Sequence, residues 1–191
     1  QSLTFSSTRS FNAGIDFTGT GALNFTAGTQ TFNTPLTFAA SDPVVTLNGA
    51  FWTAPQNLSF TTGWNAQTGT ISGAGLLSTS STTSVSNGVT ISGKTWDNTG
   101  TINITGTSGR ITLASTSTLN NNAGGVINYN GTNTFPITIS SGTNTINNAG
   151  TLNVNGGVSA TIDTVLNNTG TLNVVSGPLT INQGGTDTGV Y

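Results

Sequence analysis

Apolar and polar residues alternate in short runs along the chain: Leu23-Asn24-Phe25, Val45-Thr46-Leu47, Leu58-Ser59-Phe60, Val89-Thr90-Ile91 and Ile102-Asn103-Ile104. A period of two puts the apolar members on one face of an extended strand. No window sustains a 3.6-residue period, and the dominant residues, Thr, Asn, Ser, Gly and Val, are mediocre or poor helix formers. The pattern therefore predicts many short strands and no helix.

The strands recur in order. Gly-x-(Leu/Ile)-Asn-(aliphatic or aromatic) appears at Gly100, Gly125, Gly150 and Gly170, spaced by 25, 25 and 20 residues, with an early copy at Gly21 to Phe25. A period of about 20 to 30 residues is a solenoid signature. Each late coil reads as three strands. Thr151 to Val154 exemplifies the first, Ile111-Thr112-Leu113 the second and Ile146-Asn147-Asn148 the third, with Trp96 in the Leu position of an earlier third strand. The expected fold is all-β: a single-stranded right-handed parallel β-helix of about eight or nine coils at about 22 residues each. One domain spans residues 1–191: aromatic-rich, less regular coils over 1–60, Gly/Ser/Thr-rich coils over 61–95, and regular coils over 96–191. Leu152, Val154 and Ile162 should point inward, and Thr151, Asn153 and Thr161 outward.

The corner between the third and first strands must turn in every coil. Asn and Gly tolerate positive φ, and Asn side chains stacked on successive coils can bond in a ladder. Asn98, Asn122, Asn148 and Asn168 are the expected ladder; Gly100, Gly125, Gly150 and Gly170 are the expected corner glycines.

Gly69-Thr70-Ile71-Ser72-Gly73-Ala74-Gly75, Val89 to Thr95, Asp97 to Asn103, Leu166 to Val174 and Gly184 to Gly189 resemble the repeat regions of large secreted bacterial β-helical surface proteins, of the adhesin or autotransporter-passenger type. The resemblance implies an extracellular or cell-surface, elongated, non-catalytic protein.

Composition narrows the chemistry. Only 4% of residues are charged and the net charge is -2. Three scattered cations, Arg9, Lys94 and Arg110, make no basic stripe, so no nucleic-acid partner is expected. No apolar run approaches the length of a membrane helix, so no membrane insertion is expected. Gln1 reads as a processed start or the start of an excerpt. Without His or Cys there is no transition-metal set, and no cofactor is expected. Calcium has only Gly184-Gly185-Thr186-Asp187, a fragment with one carboxylate.

The remaining candidates are binding and assembly. Asp16, Asp42, Asp97, Asp163 and Asp187 are too dispersed to suggest paired-carboxylate catalysis, which makes a β-helical polysaccharide-degrading enzyme the weaker reading. Outward Thr112, Thr138, Thr161 and Thr180 suggest an ice-binding face, without sustained paired rows. Trp64, beside Gly63 and Asn65, is the candidate exposed aromatic for surface glycans, as in a carbohydrate-binding module or adhesin stalk. Residues 1–11 read as strand and residues 184–191 run on from the repeat, so no polar cap is evident. The expectation from this is a rod segment, or a subunit stacking end to end into a filament, sheath or matrix fibre. Its partners would be neighbouring repeats or copies of itself.

Overall fold

The computed structural model describes all 191 residues, and all the regular structure is strand. The first coil holds β1 (Ser2–Phe5) and β2 (Arg9–Phe11). The second holds β3 (Ala22–Phe25), β4 (Thr29–Phe32) and β5 (Leu36–Phe38). In the third and fourth, one long strand turns across a corner: β6 (Val44–Thr53) precedes β7 (Leu58–Phe60), and β8 (Trp64–Ser72) precedes β9 (Leu77–Thr79). Three separate strands per coil follow: β10 (Thr82–Val85), β11 (Gly88–Ser92) and β12 (Thr95–Asn98), then β13 (Thr101–Ile104), β14 (Arg110–Ala114) and β15 (Thr118–Asn121). The seventh coil has β16 (Val126–Tyr129), β17 (Ile137–Ile139) and β18 (Thr145–Asn148); the eighth has β19 (Thr151–Val154), β20 (Ala160–Ile162) and β21 (Val165–Asn168). The ninth has β22 (Thr171–Val174) and β23 (Leu179–Ile181).

Equivalent strands pair in parallel from coil to coil, giving three faces. β6 and β8 join the first two faces into one 16-stranded sheet, and the third is a separate 7-stranded sheet. The protein is thus a β-solenoid of nine coils, as the periodicity implies. Successive coils sit about 4.8 Å apart, so the body is roughly 40 Å long.

Alternation fixes the register. Most regular strands bury their second and fourth residues, as in β13, β16 and β19. Leu152, Val154 and Ile162 are buried, and Thr151, Asn153 and Thr161 are half-buried on the outside. A slip of one residue would expose the whole aliphatic set, so the register is strongly held. The segment Ser78 to Ser84 is part of the stack: it covers the end of β9, the connection at Ser80-Ser81 and the start of β10.

The core changes character along the axis. Its early half is aromatic, with rings repeating at the coil spacing. Phe5 stacks on Phe25 at 5.2 Å, Phe11 on Phe32 at 5.0 Å, Phe38 on Phe60 at 4.8 Å, and Phe60 on Trp64 at 4.5 Å. The later half is aliphatic, built by residues such as Ile102, Ile127 and Leu152 on one column. Phe51 is the exception among the early aromatics, 58% exposed on the outside of β6.

Trp64, expected as an exposed contact, is 2% exposed. The pair Trp64-x-Ala66 occupies inward positions, with Trp64 aligned to Val45 below and Thr83 above. Its indole N–H donates to the buried Thr83 hydroxyl at 2.9 Å, and that of Trp96 donates to Thr79 at 3.0 Å. Two threonines thus sit at apolar positions because two indoles need acceptors. Thr83→Val keeps the shape and removes the acceptor, so urea unfolding should show a loss of about 1–2 kcal/mol. An unchanged midpoint would mean that the indole bond contributes nothing.

Candidate functional site

The polar residues of the solenoid are organised in columns. At the corner after the third strand, Asn98 donates its amide to Asn121 at 2.9 Å, Asn121 to Asn148 at 2.7 Å, and Asn148 to Asn168 at 2.7 Å. Thr79 begins this buried column by donating to Asn98, and Asp187 ends it by accepting from Asn168 at 3.3 Å. The ladder therefore runs through Asn121, where the repeat pattern predicts Asn122. The corner from Asn121 to Gly125 is two residues longer than that from Asn98 to Gly100. Asn122 lies beyond the strand, in the turn closed by the Gly125 N–H on the Asn122 carbonyl at 2.8 Å.

A second ladder runs along the outside of the same face in the opposite sense. Asn167 donates to Asn147 at 2.9 Å, Asn147 to Asn120 at 2.8 Å, and Asn120 to the Asp97 carboxylate at 2.7 Å. A carboxylate can only accept, so Asp97 sets the orientation of the Asn120 amide and hence of those above it. The first face carries a third ladder, Asn173 to Asn153 to Asn128 to Asn103, at 2.8–3.0 Å. These chains of aligned amides polarise one another and satisfy each other's polar groups.

The glycines at Gly100, Gly125, Gly150 and Gly170 serve the corner differently from the expectation. None has positive φ. Instead, successive backbones approach so closely that a Cβ on Gly150 would lie 2.1 Å from the Gly125 carbonyl oxygen, and one on Gly170 would lie 2.1 Å from that of Gly150. Stacking, rather than dihedral freedom, demands glycine here.

At the opposite corner Lys94 is buried, 1% exposed. Its Nζ donates to the Ala54 carbonyl at 2.8 Å and to the Gly75 carbonyl, reaching back across two coils. Burial without a counter-charge lowers its pKa from 10.5 to about 8. A neutral amine can still donate to both carbonyls, so the native state sheds the proton without losing the contacts. Between pH 8 and 10.5 the unfolded chain holds a proton that the folded one has released, so stability rises with pH. The expected gain approaches about 3 kcal/mol. Tyr129, whose pKa is raised by burial, opposes it only above pH 10. Urea unfolding at about pH 7, 8.5 and 10 should show the rise, and Lys94→Met should flatten it; a flat wild-type profile would refute the assignment.

The acids are engaged singly. Asp42 accepts from the Ala39 N–H at 2.6 Å within a turn, and Asp163 accepts from Gln183 at 3.2 Å. Asp97 and Asp187 end the ladders, and Asp16 lies in a groove beside Leu3 and Phe17. No group of three or more His, Cys, Asp or Glu is placed to hold a metal ion. The apolar void among Ile104, Ile127, Tyr129 and Leu152 is about 10 Å³, room for one water at most. No helix is long and apolar enough to cross a membrane.

The second face is different. Thr29, Phe51, Thr70, Thr90, Thr112 and Thr138 align in one outward rank across six coils. Thr31, Thr53, Ser72, Ser92 and Ala114 form a parallel rank two residues along. Thr161 and Thr180 are in register with each other. They are displaced by two residues from Thr138, because Ile137 pairs with Ile162. The four threonines expected on this face thus fall in two ranks. Only the hydrophobic alternation, not the rank, is readable without the register.

This geometry defines the protein's class: a parallel β-helix, a repeat protein of the β-solenoid type. Comparisons with protein-family models, curated proteins and solved structures find no match.

Proposed function

We propose that the chain is a structural, non-catalytic unit of an extracellular or cell-surface rod, with neighbouring coils of the same kind, in the same chain or in another copy, continuing the stack at either end. The observation that carries this reading is the set of polar ladders through the later coils, from Thr79 to Asp187, in which groups that elsewhere form sites are used to bind coil to coil. Asn amides bond Asn amides, Lys94 ties three coils together, Asp97 and Asp187 end ladders, Asp42 closes a turn and Asp163 accepts from the next coil.

The low charge leaves little repulsion against close packing. Negative-stain microscopy of the protein in its native setting should show rods or filaments much longer than the roughly 40 Å of nine coils. Dispersed bodies of that size, with no larger parent, would overturn the proposal.

A further inference from the structure

We infer that the second face, around Phe51, is a binding surface for a neutral polysaccharide lying flat along the coil axis. The first and third faces spend their outward amides on one another. On the second face the hydroxyls of Thr29, Thr31, Thr53 and Thr70 are half-buried and take no protein partner. They surround Phe51, which aligns with Thr29 below and Thr70 above and has Thr53 two residues along its own strand. An exposed aromatic ring thus stands in a grid of free hydroxyls, repeating at about 4.8 Å along the axis and about 7 Å across it.

Charge selects the class of partner. β4, β6, β8 and β11, which form this part of the face, contain no charged residue. The flanking cations are Arg9, on β2 two coils below Phe51, and Arg110, whose guanidinium lies over Gly88 two coils above it; two isolated cations make no track for a polyanion, and the face offers a polycation no acid. A protein partner would need a contiguous apolar patch, and one ring among hydroxyls does not provide it. A sugar ring has an apolar face to stack on an aromatic and hydroxyls at its rim. Threonine hydroxyls both donate and accept, so they match those hydroxyls in either orientation. β-branched threonines also hold their rotamers stiffly, so the grid is set before binding. A linear polymer meets the same grid at each coil.

The surface does not depend on assembly into rods, so the test uses the whole soluble chain, and its result stands whether or not filaments form. Retention would be measured on microcrystalline cellulose, chitin and an insoluble 1,3-β-glucan, with heparin as the charged control. Binding to at least one neutral glycan is expected, unchanged between about 50 mM and 500 mM salt. Phe51→Ala should weaken it about tenfold, Phe51→Tyr should retain it, and Thr53→Val should weaken it several-fold. Phe51 and Thr53 are on the outside, so the urea midpoints of the variants should stay at the wild-type value. The proposal is overturned by retention on heparin alone, by no retention on any of the three glycans, or by Phe51→Ala binding as well as wild type. Thermal hysteresis in place of glycan binding would also overturn it, assigning the hydroxyl grid to ice.

Discussion

Gly150→Ala is expected to lower stability by more than about 4 kcal/mol or to prevent folding. The added Cβ would lie 2.1 Å from the Gly125 carbonyl oxygen and 2.6 Å from that of Asn122. Both are backbone atoms held by coil-to-coil hydrogen bonds, including the Thr151 N–H on the Gly125 carbonyl at 2.9 Å. No flexible side chain can move aside, so the coils themselves must part. Gly124 supplies the control. It has φ +84°, but a methyl added there would meet nothing within 4 Å, so alanine costs only the left-handed backbone, about 1–2 kcal/mol. Urea unfolding of the two variants separates the explanations. If Gly150→Ala is no worse than Gly124→Ala, close approach is not what the corner glycines are for.

Asn148→Leu should cost about 3 kcal/mol. Asn148 is 1% exposed, accepts from Asn121, and donates to both Asn168 Oδ1 and the Thr171 carbonyl. Leucine is close to it in size, so the loss comes from orphaned polar groups that water cannot reach. The matched control is Asn153→Thr on the outer ladder. There the amide is only half-buried and water can replace it, so the loss should stay under about 1 kcal/mol. Equal losses at the two positions would show that burial is not what gives the inner ladder its strength.

Much of this architecture is legible in the sequence because the solenoid repeats one simple rule. Alternation sets the strands, Gly-x-Leu-Asn-Val sets the coil, and residues such as Leu152, Val154 and Trp96 face the core as the pattern requires. What escapes the sequence is spacing between coils. Ladder neighbours are 23, 27 and 20 residues apart, because loops vary in length. Counting back two residues from Gly125, as from Gly150 to Asn148, lands on Ala123, and the Asn next to it, Asn122, is not the ladder residue, which is Asn121.

Trp64 escapes for another reason. Gly63 and Asn65 give it a polar setting in sequence, while the two-residue period with Ala66 turns it inward. Phe51 is the converse, an aromatic in a Phe-rich segment whose place beside the inward Trp52 turns it out. The corner glycines are found by pattern, but their cause is contact with the coil beneath, which no local sequence window contains. The paired ranks on the second face likewise exist only once the register of six coils is known.

The rod reading is tested most directly by X-ray diffraction from an aligned preparation of the native material. Coils stacked along the rod predict a meridional reflection at about 4.8 Å, parallel to the long axis. A reflection at about 4.8 Å on the equator, or material that forms no elongated object to align, would contradict it.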